Sequence, residues 1–366
     1  MEQTTTEHRY EPDYAIAPGE TLAELLETRN MSQAELARRA GLSAKHVNLI
    51  LKGTAGISSD TALKLEHVLQ VPARIWNALE ANYQGHQSRL AESRELQEHL
   101  GWASKELIRE LTKRNLVKAT REPVQQLREV LRFFGVASIP AWESMWGETA
   151  ALGAYRLAKQ EGDPVALAAW MRIGELEAAD VDTAPFDRDA LRRLLPEMRK
   201  LTTTDLHEWL PRVKEMCRSV GIVLLIEREL PKARVNGVAR WLSPKKALIQ
   251  LSARYLREDI LWFTFFHEVG HLLLHAKRNG PRDVPPTFID TKDSGGRVED
   301  EANAFARDLL IPPPHAAGIA EIHTLAEVQA LADELGISPG IVVGRIHHEG
   351  HKGPAWGAGL IARYKW

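Results

Sequence analysis

The sequence contains almost no cysteine. Cys217 is the single cysteine among 366 residues, which excludes both an intrachain disulfide and a zinc site built from several thiolates. A metal ion bound by this chain would therefore depend on histidine and carboxylate ligands. Such sparse cysteine usage also agrees with a protein of the cytoplasm, which is the location that we expect.

Long apolar runs and a dominant charge are missing too. The best apolar stretch, Ile260–Phe266, is far shorter than a membrane helix, which needs about 20 apolar residues. The first residues are polar and lack the apolar core of a signal peptide, so we expect no membrane association. The net charge of −2 excludes a uniformly basic nucleic-acid coat protein, but it leaves room for a local basic patch.

The composition is that of a globular protein, and the pattern of polar and apolar residues changes along the chain. The 44% hydrophobic content is enough for buried cores, and the length corresponds to roughly two or three domains. We predict a polar tail at 1–16, a domain of short helices at 17–85, a helical connecting region at 86–205 and a last domain at 206–366. The polar stretch Gln84–Ser88 marks the boundary after the short helices.

Three short β-branched runs open the last domain. Gly221–Glu227, Val235–Leu242 and Ala247–Leu251 are separated by turn-like segments, which predicts a three-stranded antiparallel meander. Helices are predicted at about Asp259–His275 and Val298–Leu310, the second one stopped by a run of prolines. The expected fold class is therefore mainly α with a small antiparallel sheet (α+β).

The segment Met31–Gly53 has the pattern of a helix-turn-helix. Ser32 and Glu35 form a capping box at the start of the first helix, and Gly41 permits the tight turn between the helices. Ser43 then caps the second helix. The alternative is a helical hairpin that packs only against protein.

Local charge around this segment favours contact with DNA phosphates. Between residues 29 and 52, five basic residues stand against the single acid Glu35: Arg29, Arg38, Arg39, Lys45 and Lys52. The second helix of such motifs faces base edges in the major groove, so we assign this role to Ala44, Lys45 and Asn48. The side chains expected to contact the DNA backbone are Gln33, Ser43, Arg38 and Lys52. Because one motif binds weakly, we expect a homodimer that reads a palindromic operator.

A possible metal site lies at His267-Glu268-Val269-Gly270-His271, an HExxH motif. Histidines at i and i+4 share one face of a helix, so both rings can bind one ion. Glu268 lies between them, where its carboxylate can take a proton from water as a general base. The cofactor expected is zinc, whose catalytic sites use three protein ligands.

The third ligand is sought in the helix that follows. Glu299 and Asn303 share one face, and the small residues Ala302 and Ala306 allow close approach of the two helices. We favour Glu299 as the ligand and expect Asn303 to hydrogen-bond a ligand histidine. Glu301 is the alternative ligand, but it projects to another side of the helix, so both glutamates cannot bind the same ion.

Two parts of the chain resemble known families. Residues 17–84 resemble XRE-type repressors, and among them the HigA antitoxins, through the PGE sequence before the helix pair and the W-x-x-L-x-A-N-Y end. Residues 222–312 resemble the ImmA/IrrE (DUF955) metallopeptidases, which pair a HExxH helix with a downstream E-x-x-A-N-x-F-A helix. The stretches Gly237–Pro244 and Val342–Glu349 match the branch of that family that carries a HigA-like domain.

These resemblances imply a five-helix domain that binds operator DNA and a gluzincin-like zinc metallopeptidase domain. A histidine common near the family's C-terminus aligns with His348, which would stabilise the oxyanion of the reaction, as would Tyr255. The alternative for both is a surface or packing role. His275 continues the i+4 series from His271, and we interpret it as a packing residue or as a neighbour of the ligands.

The combined hypothesis is a DNA-binding regulator with a zinc-dependent endopeptidase domain. Its partners would be operator DNA and a protein substrate, either a repressor or the chain itself. The alternative is a HigA-type antitoxin and autorepressor that binds a cognate toxin, with a zinc domain that senses or binds without turnover. Glu268 argues against this alternative, because a structural zinc site has no use for a base.

Overall fold

The computed structural model describes residues 16–147, 162–275, 287–290 and 296–365, and only the backbone of 287–290. The chain divides into two compact units, residues 1–101 with 121–127 and residues 102–120 with 128–366. The predicted α+β class is confirmed, because helices dominate and the second unit contains one small sheet.

In its described part, the first unit contains five complete helices and, at 123–127, the start of a further helix. The complete helices are α1 (Pro18–Thr28), α2 (Gln33–Ala40), α3 (Ala44–Leu51), α4 (Ser59–Leu69) and α5 (Ala73–Glu98). Apolar side chains at helical spacing enclose its core, in which Leu36, Ile50 and Trp76 are at most 1% exposed.

Helix α5 is longer than the sequence indicated. It continues through Gln84–Ser88, so the boundary predicted there does not coincide with the division of the chain, which falls after Gly101. A polar stretch without proline stays helical in solvent, and its single glycine costs only about 1 kcal/mol.

The second unit combines helices with a sheet. Its helices include α6 (Lys105–Lys113), the later part of α7 (Pro123–Phe134), α8 (Pro164–Ala179), α9 (Arg188–Lys200), α10 (Leu206–Arg218), α11 (Glu258–Leu274), α12 (Arg297–Leu310), α13 (Pro313–Ala316), α14 (Leu325–Leu335) and α15 (Pro339–His348). Its strands are β1 (Ile222–Glu227), β2 (Gly237–Ser243), β3 (Lys246–Ser252) and β4 (Thr287–Asp290).

The predicted antiparallel meander is wrong, because the sheet is mixed. Its order is β1-β3-β2-β4, with β1 parallel to β3 and with β2 antiparallel to both β3 and β4. Only the β2–β3 connection is a tight turn, with Ser243 paired to Lys246, so only these neighbours in sequence form a hairpin. The longer loop after β1 lets the hairpin place β3 beside β1.

Both faces of the sheet are covered. On β3, Ala247, Ile249 and Leu251 belong to the core shared with α10 and α11. The intervening Gln250 points the other way and donates a hydrogen bond to the carbonyl of Trp170 on α8, at 2.8 Å. Helix α8 therefore belongs to the same core structure as the sheet, and 86–205 is not a separate connecting region.

Helices α11 and α12 pack closely, as predicted. Ala302 and Ala306 are fully buried on α12. A methyl group on Gly270 of α11 would lie 3.0 Å from the Phe305 ring and 3.4 Å from the Cα of Ala302. The small residues on both helices thus let their backbones approach, which brings the side chains of α12 to the HExxH face of α11.

Candidate metal centre and nucleic-acid interface

Helices α2 and α3 are joined as the sequence predicts. The Ser32 hydroxyl accepts a hydrogen bond from the Glu35 amide at 3.2 Å, and the Ser43 hydroxyl accepts one from the His46 amide at 3.1 Å. Gly41 has φ of 64°, the left-handed conformation that glycine adopts without strain. The Glu35 carboxylate binds Arg39 at 2.5 Å, so only one half of the predicted capping box is present.

The outer face of this helix pair is polar and basic. Its predicted DNA-binding side chains are all exposed: Gln33, Arg38, Ser43, Ala44, Lys45, Asn48 and Lys52. Val47 and Ile50, on the opposite side of α3, are buried. Within the described part of the chain, Arg38, Lys45 and Lys52 form no ion pair, so their charges face solvent. The surface can therefore contact an anionic polymer.

Helix α11 and helix α12 bring together three side chains that could bind a metal ion. His267 and His271 lie one turn apart on α11, and Glu299 lies in the first turn of α12. The Nε2 atoms of the histidines are 3.0 Å apart, and the Glu299 Oε2 atom lies 3.3 Å and 3.5 Å from them. All three residues are buried.

This triangle matches the donor set of a tetrahedral zinc ion. With zinc–ligand distances of about 2.0–2.1 Å, neighbouring ligand atoms lie about 3.3–3.4 Å apart. The three observed separations of 3.0, 3.3 and 3.5 Å bracket that value. Two imidazoles and one carboxylate are also the chemical donors that such an ion takes when cysteine is lacking. The residues present fit a zinc ion.

The electrostatics of the triangle favour the metal-binding protonation states. Burial lowers the pKa of His271 to about 4, and the Glu299 hydrogen bond only partly opposes this. Burial alone would raise the pKa of Glu299, but hydrogen bonds from His267 and His271 outweigh it and bring the pKa to about 2. At neutral pH, His271 is therefore neutral and Glu299 ionised, as metal ligands must be.

Glu268 lies against the start of strand β2. Its side chain is fully buried, and a methyl group built on Gly237 would come within 2.7 Å of its Oε1 atom and 2.6 Å of Thr264 Cγ2. Only glycine at position 237 leaves space for the Glu268 side chain, so strand β2 determines where the Glu268 carboxylate can lie. No sequence pattern indicates this role of Gly237, because it depends on the packing of α11 on the sheet.

Glu301 faces away from the triangle. Its Oε2 atom lies 3.1 Å from Nε2 of His275, whose Nδ1 atom lies 3.1 Å from Nδ1 of His271. The structure thus places Glu299, and not Glu301, with the ligand histidines. Asn303 makes no hydrogen bond to His267 or His271 within the described residues, and the side chain beside His271 Nδ1 is that of His275.

A cleft of about 940 Å³ opens beside these helices. Its walls include Thr264 from the HExxH helix and Asn303 from the Glu299 helix, together with the exposed His348 of α15. Tyr255 lies in the turn after β3, under the guanidinium of Arg254 at 5.0 Å, and it is not among the residues that line the cleft. Of the two predicted oxyanion donors, the structure brings only His348 to the cleft.

The single cysteine, Cys217, is buried on α10. Burial raises the pKa of the Cys217 thiol to about 12, so it stays protonated. No described helix combines the length and the apolar character that crossing a membrane requires.

Comparison with known families agrees with the two sites. Residues 22–76 match the helix-turn-helix family, and residues 217–347 match the M78 peptidase family, described as an IrrE N-terminal-like domain. The first match contains α2 and α3, and the second contains the complete His267–His271–Glu299 triangle. No curated protein matches the chain.

Several solved structures match the first unit alone. A Pseudomonas aeruginosa protein in complex with its operator DNA is 35% identical, and the match covers 21% of this chain and 85% of that one, with a TM-score of 0.21. The Pseudomonas aeruginosa antitoxin HigA with the higBA promoter is 32% identical over 23% of this chain and 94% of that one, with a TM-score of 0.22. An antidote protein of the HigA family from Coxiella burnetii is 28% identical over 23% and 91%, with a TM-score of 0.21.

Proposed function

We propose that this chain, which joins a helix-turn-helix domain to an IrrE N-terminal-like domain, is a DNA-binding regulator with a zinc-dependent endopeptidase. The observation that carries the enzymatic part is the triangle of His267, His271 and Glu299 with the buried Glu268 beside it. Its substrate would be a regulatory protein, and its place of action the cytoplasm.

The three ligand side chains would hold zinc, which when bound supplies a Lewis acid that polarises a peptide carbonyl and acidifies a water. Glu268 would take the proton of that water and pass it to the nitrogen of the departing amine. Burial of the Glu268 carboxylate strengthens its interactions with reacting groups, because the local dielectric is low. His348, which lines the cleft, is the candidate donor to the oxyanion, and Tyr255 has less support.

Metal dependence tests the enzymatic proposal. The protein is incubated with a peptide library made from a cellular proteome, as isolated, after treatment with a chelator, and after zinc is returned. We expect cleavage to disappear with the chelator and to return with zinc, and His271→Ala to remain inactive throughout. Zinc-independent cleavage would contradict the assignment.

The chain itself is also a candidate substrate. Mass spectrometry of zinc-loaded protein during prolonged incubation would show a discrete cut in the wild type and none in Glu268→Gln. An unchanged mass in both would leave another protein as the substrate and would remove self-cleavage from the proposal.

A zinc domain without turnover is the competing function. In that case the chain would be a HigA-type antitoxin and autorepressor that binds a toxin. Structural zinc sites have four protein ligands, whereas the described residues offer a group of three, and this favours a catalytic site. The competing function predicts zinc binding with no cleavage by any form of the protein.

The DNA-binding part rests on the exposed basic face of α2 and α3. We propose that a homodimer reads an operator with Ala44, Lys45 and Asn48, while Gln33, Arg38, Ser43 and Lys52 contact the backbone. Selection of bound duplexes from a random pool should yield a palindrome. Asn48→Ala should change which sequence is selected, whereas Lys52→Ala should weaken binding to all sequences and lower the salt dependence. Selection of no sequence would contradict operator recognition.

A further inference from the structure

A buried series of hydrogen bonds continues from the ligand His271 towards the surface. His271 Nδ1 lies 3.1 Å from His275 Nδ1, and His275 Nε2 lies 3.1 Å from Glu301 Oε2. The other oxygen of Glu301 accepts a hydrogen bond from Arg297 Nε at 2.8 Å. His275 is fully buried, whereas Glu301 is 34% exposed, so the series starts at the metal site and ends at solvent.

The protons in this series follow from the geometry. Nε2 of His271 points into the ligand triangle, so when this atom binds a metal ion the proton of the neutral ring is on Nδ1. That N–H donates to Nδ1 of His275, which must therefore accept. The proton of the neutral His275 ring is then on Nε2, and it donates to the Glu301 carboxylate. Each ring is held in one tautomer by the next group.

In this arrangement His275 and Glu301 are not placed as metal ligands. Both nitrogens of His275 have partners outside the triangle, and Glu301 binds His275 and Arg297. Packing alone would not require His271, His275 and Glu301 to be aligned in this way. A buried imidazole does require partners, because it costs free energy unless its polar atoms are hydrogen-bonded. Glu301 meets this need for His275, as His275 does for His271.

We propose that His275 and Glu301 are positioning residues that hold His271 in the tautomer and orientation that bind the metal. The proposal rests on the proposed function only in requiring that the His267–His271–Glu299 triangle binds a metal ion. Partners of this kind change metal affinity by about 10–100-fold when they are removed.

The test is zinc affinity, measured in the full-length protein by competition with a chelating indicator. Glu301→Ala removes the acceptor of the His275 proton at a partly exposed position, so the fold should persist. We expect zinc to bind about tenfold or more weakly in this variant. Glu301→Gln restores an acceptor oxygen and should recover most of the affinity, which simple loss of a charge would not allow. His275→Phe keeps a ring but no nitrogen, and it should weaken zinc binding further.

A matched control is available in the same unit. The Glu334 carboxylate lies 3.2 Å from His315 Nε2, in a glutamate–histidine pair that does not include a metal ligand. Glu334→Ala should leave zinc affinity unchanged. Cobalt(II) in place of zinc gives a visible spectrum that depends on coordination geometry, and it should change in Glu301→Ala but not in Glu334→Ala.

Wild-type zinc affinity in both Glu301→Ala and His275→Phe would overturn the proposal, as would equal weakening in the Glu334→Ala control. If His275→Phe does not fold, Glu301→Ala and its rescue by Glu301→Gln decide the question. A wild type that binds zinc without cleaving peptides would refute the proposed peptidase and leave this inference standing. A wild type that binds no zinc would refute both.

Discussion

At the scale of single residues, the proposed chemistry depends on a carboxylate held in a space that one glycine leaves open. Gly237 lies at the start of β2, and its missing side chain makes room for Glu268 and Thr264. A methyl group there cannot be accommodated without moving one of them, since it would come within 2.7 Å of each. Displacement of a catalytic group by about 1 Å can lower a rate about 10²-fold.

Gly237→Ala should therefore reduce peptide cleavage by about 10²-fold while zinc content stays at the wild-type level. The measurement pairs kcat/KM on one cleaved peptide with metal analysis of the same sample. Gly353→Ala is the control, because nothing lies within 4 Å of the added carbon there. Equal activity of the two variants would show that Gly237 does not position the base.

The ligands themselves could be predicted from the sequence, whereas their surroundings could not. Helical spacing alone relates His267 to His271 and separates Glu299 from Glu301. The contacts of the Glu301 and Asn303 side chains depend on how α12 packs against α11, and no local sequence pattern predicts this packing. For this reason the sequence does not show that His275, and not Asn303, contacts His271.

At the scale of elements, the packing of α1 against α3 fixes the helix-turn-helix. A methyl group on Gly19 would overlap the carbonyl oxygen of Ile50 in the last turn of α3. Gly19→Ala should thus destabilise the first unit by about 1–3 kcal/mol. Gly85 lies within α5 with nothing within 4 Å of an added carbon, so Gly85→Ala should stabilise it by about 0.5–1 kcal/mol. Hydrogen exchange of peptides from α1–α5 in the full chain measures both stability changes. If both substitutions stabilised or both destabilised the unit, the close packing of Gly19 on α3 would be contradicted.

Glu227, at the end of β1, makes the folding stability of the chain depend on pH. Burial raises the pKa of Glu227 to about 7, the nearby Glu177 adds to this, and Arg114 and Lys214 oppose it. The folded chain thus holds a proton that the unfolded chain has lost, and this stabilisation is complete below about pH 4.5 and disappears as the pH rises through about 7.

Glu227→Gln, which cannot ionise, should therefore raise the melting temperature more at pH 8 than at pH 5, relative to wild type. Thermal unfolding of both proteins at the two pH values checks this. Since the other titrating groups are common to both proteins, a difference in melting temperature that does not change with pH would contradict the raised pKa.

Element boundaries in the second unit agree closely with the sequence prediction, but strand order does not. The strands β1, β2 and β3 and the HExxH helix are predicted by alternation, helical periodicity and turn residues, which are local signals, whereas β4 is not. The position of β3 between β1 and β2 depends on contacts between residues that are distant in sequence. Because the sheet is covered on both faces, its strands also lack the alternation of polar and apolar residues from which strand order could be predicted. The same cover explains why α8, read as part of a connecting region, belongs to the core around the sheet.

At the scale of the whole molecule, the three proposed metal ligands all lie in the second unit. Removal of zinc should lower the melting temperature of the transition that includes this unit, because zinc binds the folded state and not the unfolded chain. The stabilisation is about 2.7 kcal/mol when zinc is present at about 100 times its dissociation constant. Scanning calorimetry of the full chain with and without chelator measures it. An unchanged thermogram would contradict a zinc site built by folding.

Glu268 is proposed to act as the base beside a zinc ion held by His267, His271 and Glu299. Glu268→Gln keeps the size of this side chain and removes its basicity. The decisive measurement is the rate of cleavage of one peptide by wild type and Glu268→Gln, each prepared with the same measured zinc content. We predict a loss of at least about 10²-fold in the variant. Equal rates in the two proteins at equal zinc content would contradict it.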